Sequence, residues 1–329
     1  MSPASMTRRT MLTAVAAMAA TPSLAQECQI GVPPHEKGPP VFMDYDLEEL
    51  DAAYSQEYYE PLGNRVLKRL ESNSAATRAR LGEPQRVAYG EDVFEKLDIY
   101  RADRPKAPIF VFIHGGLWRF GSAAQYAYPA EMFLDAGAHY VTIDFDSVTR
   151  VNGDLGVLAA QVRRAIAWVY RNAASFDGDP DRLYIGGHSS GGHLCGITLV
   201  TNWQSAFGLP ADLVKGGLCM SGMYDLEPVR LSWRRNYIAF TDAMVEALSA
   251  QRHIAKLNAP VVVTYGTYET PEFIRQSRAF AAAIQATGKP VTLIEAQHYH
   301  HNEMVESLGN AYGPNGRAAL AMMGLAERS

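Results

Sequence analysis

A serine flanked by glycines is the residue of this sequence best suited to nucleophilic chemistry. Residues 187–191 read Gly-His-Ser-Ser-Gly, follow the apolar run 182–186 and precede a helical pattern at 193–201. A tight turn from a buried strand into a helix exposes the serine hydroxyl and needs glycines where a Cβ would clash. The Gly-x-Ser-x-Gly spacing selects Ser189, because Ser190 would need a glycine at position 188. A plain Gly/Ser-rich turn is the alternative.

A serine hydroxyl needs a base, and the base needs an orienting carboxylate. In a strand-turn-helix enzyme of this kind the acid precedes the histidine along the chain. Glu269 follows the apolar run 259–265 and precedes a helix that Pro271 can begin. Glu272 falls in the first helical turn, where a carboxylate is favourable without any catalytic role. The sequence therefore predicts Glu269 as the acid.

Three histidines compete for the role of base, and they also permit a metal site. They are His298, His300 and His301, in the segment Gln-His-Tyr-His-His-Asn-Glu at 297–303. His298 with His300 or His301, together with Glu303, has a spacing that suits zinc. The His-Glu-x-x-His pattern is missing, however, and the serine chemistry already explains a histidine here. We expect no metal and no cofactor.

An earlier apolar run, 107–114, ends in His114-Gly115-Gly116-Leu-Trp118. The amides of Gly115 and Gly116, with that of Ser190, could stabilise an oxyanion, because glycines leave backbone N–H groups accessible. His114 itself is expected to be structural. Four aromatic residues just after strand ends are candidates to contact a substrate ring, although an aromatic is as often core: Trp118, Phe120, Tyr126 and Tyr224.

The elements that must position these residues alternate along the chain. Apolar runs at 107–114, 139–145, 182–186, 214–220, 259–265 and 291–295 predict buried strands, and helical patterns at 155–174 and 270–287 lie between them. This alternation predicts an α/β fold with a mostly parallel, doubly wound sheet and helices on both faces. A helical stretch at 47–80 precedes the sheet. An insertion at about 225–257 is a candidate small cap.

The chain begins with a segment typical of an exported protein. Arg8 and Arg9 precede an apolar run and a Ser-Leu-Ala site, which predicts a twin-arginine-like signal peptide at 1–25 and an exported mature protein without a stable membrane anchor. The 329 residues carry a net charge of −5, and removal of the leader makes it −7. Because the sequence has no run of Lys and Arg, we expect no nucleic-acid partner. Three cysteines, Cys28, Cys195 and Cys219, are too few for a disulfide framework.

These motifs together resemble the kynurenine formamidase (arylformamidase) group of the α/β-hydrolase superfamily. The resemblance is carried by the segments at 114–118, 187–193, 221–229, 269–277 and 301–308, and extends upstream through 87–90 and 97–100. In that group the residue before Ser/Thr-Pro-Glu-Phe is the acid, which here is Glu269. The base opens a His-x-Asp/Glu-x-x-Glu-x-Leu pattern, which here is His301. Glu replaces the Asp of the vertebrate enzymes.

The resemblance implies an α/β-hydrolase catalytic domain at 81–329, preceded by a tail and helical segment at 26–80. It implies hydrolysis of small aryl amides or esters through Ser189, His301 and Glu269. The resemblance does not by itself imply N-formylkynurenine as the substrate, because tryptophan breakdown is cytosolic and the leader predicts export. A general carboxylesterase is the alternative enzyme, and a non-catalytic binding module is disfavoured because the full triad is present. The sequence does not indicate the oligomeric state.

Overall fold

The computed structural model describes residues 31–325, so the predicted leader and Cys28 lie outside the described residues. Within them, eight strands form one sheet in the order β1-β2-β4-β3-β5-β6-β7-β8. The strands are β1 (Gln85–Ala88), β2 (Lys96–Tyr100), β3 (Ala107–Ile113), β4 (His139–Ile143), β5 (Gly178–His188), β6 (Val214–Met220), β7 (Val261–Gly266) and β8 (Val291–Ala296).

The sheet is parallel from β4 across to β8, while β1 and β2 add an antiparallel edge. A strand is present at each of the six predicted positions, but β8 lies at the edge of the sheet and is mostly not buried, unlike the buried strand predicted there. The two antiparallel strands overlap the segments 87–90 and 97–100, for which the apolar pattern predicted no strand. The predicted α/β-hydrolase fold is confirmed.

Helices cover both faces of this sheet. They are α1 (Leu47–Ala53), α2 (Gly63–Leu81), α3 (Ala130–Asp135), α4 (Leu155–Asn172), α5 (Ser190–Leu199), α6 (Trp203–Phe207), α7 (Glu227–Leu231), α8 (Asp242–Leu248), α9 (Pro271–Ala286), α10 (His301–Glu306) and α11 (Pro314–Met322). Nowhere in residues 31–325 is a helix both long and apolar enough to cross a bilayer.

The central strand β3 explains why the apolar runs are continuous. Its residues alternate between two cores, with Ile109, Val111 and Ile113 in one and Phe110 and Phe112 in the other. Successive side chains of a strand point to opposite faces, so a strand covered on both sides must be apolar at every position. All seven residues of β3 are buried.

The helical stretch predicted at 47–80 consists of two helices in the structure. It is divided into α1 and α2 by residues 54–62. Pro61 prevents α2 from extending towards its N-terminus, because proline lacks an N–H and disfavours helical geometry at the preceding residue. Asp46 begins α1 by accepting a hydrogen bond from the Glu49 amide.

The insertion at 225–257, predicted as a small cap, shares the cover of the site with the N-terminal segment. It forms α7, α8 and short 3₁₀ turns that pack against α1, α4, α5 and α9. Only Trp233 and Arg234 of this insertion reach the large cavity described below, whereas many of the lining residues lie between 33 and 71. The N-terminal segment therefore covers the cavity, and the insertion closes one side of it.

Candidate active site

Ser189 lies in the turn between β5 and α5, in a strained conformation. Its backbone has φ 59° and ψ −123°, a region that a serine rarely adopts. A hydrogen bond to the neighbouring strand stabilises this conformation, since the Ser189 N–H donates to the Met220 carbonyl at 3.0 Å. A Cβ at Gly187 would collide with the Gly191 carbonyl, and one at Gly191 would collide with β3. The glycines therefore permit a turn that brings Ser189 to the sheet's carboxyl edge.

Ser189 lines a large cavity, and Ser190 does not. Ser190 is the first residue of α5 and is buried. This arrangement matches the register chosen from the sequence, in which Ser189 is the nucleophile and Ser190 contributes only its amide.

Glu269 and His301 meet beside the same cavity. The Glu269 Oε2 accepts a hydrogen bond from His301 Nδ1 at 2.8 Å, and both side chains are buried. The other oxygen, Oε1, accepts from the Ser221 hydroxyl at 2.6 Å and from the Gly266 amide at 2.7 Å. Three donors thus fix the carboxylate. Because Nδ1 faces a carboxylate oxygen, which accepts hydrogen bonds, Nδ1 carries the ring proton and leaves Nε2 able to accept one.

His188 positions the backbone of His301. Its Nε2 donates to the His301 carbonyl at 3.0 Å, and the two rings lie 4.5 Å apart between centroids. Burial, reinforced by the nearby His301, keeps the pKa of His188 well below its usual value. His188 is therefore a neutral donor rather than a second base.

The remaining acidic and histidine candidates have other partners. Glu272 accepts from Tyr54 at 2.8 Å and from Arg275 at 2.6 Å, away from His301. His298 is exposed and bonded to the Tyr268 hydroxyl at 2.7 Å. His300 precedes α10, where its N–H donates to Glu303.

These histidines also do not converge on one point. Over residues 31–325, ligand atoms of three His, Cys, Asp or Glu side chains come together at His35, Asp46 and Glu49, not at positions 298–303. Two of those three, Asp46 and Glu49, form the capping box of α1. The metal alternative thus has no converging ligand group at its predicted place in the described chain.

The turn after β3 passes directly beside the nucleophile. A Cβ at Gly115 would lie 3.1 Å from the Ser189 Cβ. Gly116 has φ 111°, and a Cβ there would collide with the Phe120 carbonyl. In the described residues, the N–H groups of Gly116 and Ser190 donate to no backbone or side-chain acceptor. They are free to stabilise a developing oxyanion.

His114 begins this turn and is structural, as expected. It is buried, stacks on Phe145 and Tyr126, and shares a 2.8 Å hydrogen bond with the Gly115 carbonyl. Burial lowers its pKa.

The cavity has a volume of about 1390 Å³ and contains Ser189 and His301 in its wall. Of the four aromatic residues predicted to contact substrate, Phe120 and Tyr126 line it. The other two require correction. Trp118 is buried, with Nε1 3.2 Å from His193 Nδ1, and Tyr224 is fully buried against Phe280 with ring centroids 4.1 Å apart. Both stabilise the core around the site instead of facing the cavity.

Sequence reasoning missed the N-terminal contribution to the site. Glu60 lies in the cavity wall and accepts from the amide and side chain of Asn302, at 3.0 and 2.8 Å, next to His301. Burial raises the pKa of Glu60, and the neighbouring His301 opposes that shift. The two partners are 242 positions apart, so no local pattern could have paired them.

Comparisons with known proteins find one matching family model and several similar proteins. Residues 97–214 match the BD-FAE family. The chain is 27% identical to kynurenine formamidase of Danio rerio over 274 residues, covering 79% of this chain and 91% of that protein. It is 29% identical to kynurenine formamidase of Salmo salar over 246 residues, covering 72% and 81%.

Among solved structures, a thermophilic esterase of Thermogutta terrifontis with propionate bound superimposes with a TM-score of 0.61. The sequences are 23% identical, and the match covers 76% of this chain and 97% of the esterase. This likeness shows the fold.

Proposed function

Because the chain belongs to the kynurenine formamidase-like group of the α/β-hydrolase superfamily, we propose that it is a serine hydrolase of small aryl amides or esters. One observation carries the proposal. A strained serine at a strand-to-helix turn shares a cavity with a histidine whose Nδ1 is bonded to a buried carboxylate. This is the arrangement that activates a serine hydroxyl.

In the proposed reaction, Ser189 Oγ attacks the substrate carbonyl while His301 Nε2 takes the hydroxyl proton. Glu269 holds the ring and stabilises the imidazolium that forms. The amides of Gly115, Gly116 and Ser190 stabilise the tetrahedral oxyanion. The intermediate collapses as His301 gives its proton to the leaving amine or alcohol, which leaves an acyl group on Ser189. Water, activated by the same histidine, then releases the carboxylic acid and restores the serine.

An aromatic substrate is supported by the cavity wall beside the nucleophile. Phe120 and Tyr126 line the cavity, and a flat ring can stack on either. The two similar proteins named above are kynurenine formamidases, which also supports an aromatic substrate. We propose formyl or acetyl as the acyl group.

A general carboxylesterase is the second candidate, and the cavity volume favours it. At about 1390 Å³ the cavity exceeds the roughly 300–1000 Å³ of most small-molecule sites, so longer acyl chains would fit. Purified protein should be compared on phenyl formamides, phenyl acetates and phenyl octanoates. A higher kcat/KM for the formyl and acetyl substrates supports a hydrolase of small aryl amides or esters, and a higher value for the octanoate supports a general carboxylesterase.

Export remains a proposal that rests on the residues of the leader. Cell fractionation tests it, with Arg8→Lys/Arg9→Lys as the matched variant for the twin-arginine route. We expect the wild-type protein outside the cytoplasm, shortened by 25 residues, and the double variant retained inside. Full-length protein in the cytoplasm would contradict the proposal.

A further inference from the structure

A buried carboxylate that the proposed mechanism does not use contacts the residue next to the base. Glu60 is 6% exposed and lies between α1 and α2. Its Oε2 accepts hydrogen bonds from the Asn302 N–H at 3.0 Å and from the Asn302 side-chain amide at 2.8 Å. Its Oε1 accepts from the same N–H at 3.2 Å. Because both oxygens face donors, the ionised form of Glu60 fits this place.

The backbone around Glu60 is fixed, so its carboxylate provides a rigid anchor. The Glu60 N–H donates to the Gln56 carbonyl at 2.7 Å, and the Gly63 N–H donates to the Glu60 carbonyl at 2.9 Å. Pro61 follows directly and fixes its own φ. A Cβ at Gly63 would lie 3.0 Å from the Asn302 Nδ2 and 3.3 Å from the Glu60 Cδ. The glycine that begins α2 therefore lets these two side chains approach each other.

This contact is one of three that fix the base, and each comes from a different element. His301 Nδ1 donates to Glu269 at 2.8 Å, and the His301 carbonyl accepts from His188 Nε2 at 3.0 Å. The Asn302 N–H lies in the first turn of α10, where backbone N–H groups lack an acceptor within the helix. Glu60 supplies that acceptor. Its loss would free the chain directly after the base, and a displacement of about 1 Å can cost about 10²-fold in rate.

The charge of Glu60 favours the same step of the reaction. His301 becomes positively charged when it takes the proton of Ser189, and a carboxylate in the same wall stabilises that charge. The two groups are close enough to interact. Burial raises the pKa of the Glu60 carboxyl, and the neighbouring His301 is the largest of the effects that oppose this rise.

We propose that Glu60 is a positioning residue for the base, which it keeps in its reactive place through Asn302. This inference rests on the proposed function, because it concerns the base of the same site. It gives the N-terminal segment a part in catalysis as well as in covering the cavity. Displacement of that segment from α10 would open the cavity and release the base together, so the site is complete only when it is covered.

Two replacements of Glu60 test this proposal on phenyl acetate. Glu60→Leu removes both acceptors at similar volume and should lower kcat about 10- to 100-fold, the range for a hydrogen bond to a charged group. KM should stay within about threefold, because only a change in the shape of the cavity wall would act on KM. Glu60→Gln keeps an oxygen for the Asn302 N–H. Since a charge-assisted hydrogen bond is about twice as strong as a neutral one, this variant should lose about 3- to 10-fold in kcat.

The matched control is Glu306→Gln, at the other end of α10. Glu306 forms an ion pair with Arg69 of α2, so it also joins the N-terminal segment to the helix of the base. This pair is more exposed and lies five residues beyond His301. A surface ion pair contributes little, so kcat of this variant should stay within about twofold of the wild-type value.

A measurement on the resting protein separates this inference from the proposed function. The His301 Nδ1 proton is buried against Glu269, and its exchange with solvent can be followed by proton NMR. Glu60→Leu should speed this exchange at least about tenfold, and Glu306→Gln should leave it unchanged. Faster exchange in Glu60→Leu supports the positioning role even if the wild type hydrolyses no ester, a result that counts against the proposed function alone.

Other results would overturn the positioning role. One is a folded Glu60→Leu variant whose kcat and ring-proton exchange both match those of the wild type. A rise in KM with kcat unchanged would place Glu60 in the cavity wall only and would also overturn it. Should Glu60→Leu fail to fold, Glu60→Gln carries both measurements, and unchanged kcat and exchange in that variant would contradict the proposal.

Discussion

Replacing Glu269 by glutamine should disable the base while leaving the fold intact. The Glu269 Oε1 accepts from Ser221 and Gly266, and Oε2 accepts from His301. A glutamine can keep its oxygen on the first two donors, which places its NH₂ group against His301 Nδ1. That nitrogen must then accept, so the ring proton moves to Nε2, where the serine proton should go.

The expected decrease in kcat follows from this change of tautomer and from the loss of the negative charge that stabilises the imidazolium. The corresponding change in a Ser-His-Asp enzyme lowers kcat by about 10⁴-fold, and we expect about 10³- to 10⁴-fold for Glu269→Gln. At 1.36 kcal/mol per factor of ten, this equals about 4 to 5.5 kcal/mol of transition-state stabilisation. KM should change little, because Glu269 does not line the cavity.

The assay is steady-state hydrolysis of a phenyl acetate, with circular dichroism and thermal unfolding on the same samples. Glu272→Gln is the matched control, since that carboxylate is also buried but bonded to Tyr54 and Arg275. It should lower the unfolding temperature and leave kcat within about threefold. A folded Glu269→Gln variant with more than a tenth of wild-type kcat would refute the assignment, as would an equal loss in the Glu272 variant.

Three further predictions test other parts of the site. His301→Gln should lower kcat by at least about 10³-fold. His298→Gln changes an exposed ring bonded to Tyr268, so its kcat should stay within about threefold of the wild-type value, and the reverse result would assign the base to His298. Phenyl acetate should have a higher kcat/KM than phenyl octanoate in a stopped assay of both esters, and a clear preference for the octanoate would leave a general esterase. Hydrogen bonds from the Glu49 and Gly38 amides hold the pKa of Asp46 at about 2, so its contribution to stability is present above the unfolded pKa of about 3.8 and is lost as pH falls towards 2. Asp46→Asn should therefore flatten the unfolding temperature between about pH 4 and 2, and an unchanged slope would contradict this cap.

The parts of the site that could be predicted from sequence have local signals. The turn around Ser189 is recognised by a fixed spacing of glycines between a strand and a helix. The segments that contain Glu269 and His301 are each recognised by a pattern of a few consecutive residues. The inner strands β3, β4 and β6 were recognisable because a strand buried on both faces requires apolar residues at nearly every position. In the structure Ser189 and His301 line one cavity and Glu269 is hydrogen-bonded to His301, and their catalytic roles stay a prediction.

The missed features depend on contacts between distant residues. An aromatic residue after a strand can face a cavity or the core, and only packing distinguishes Phe120 from Trp118. The contact between Glu60 and Asn302 joins the N-terminal segment to the loop of the base, and Arg234 lies in an insertion whose pattern suggested only a cap. Tertiary packing decides each of these placements.

Peptide mapping after treatment with an aryl fluorophosphonate tests the central claim most directly, because the reagent phosphonylates a serine only where a base and an oxyanion site activate it. The account predicts one phosphonyl group per chain, on Ser189, with loss of esterase activity in the same proportion. Ser190→Ala should label like the wild type, and folded Ser189→Ala should take up no label. Labelling of another residue, or full esterase activity in folded Ser189→Ala, would contradict the assignment of Ser189 as the nucleophile.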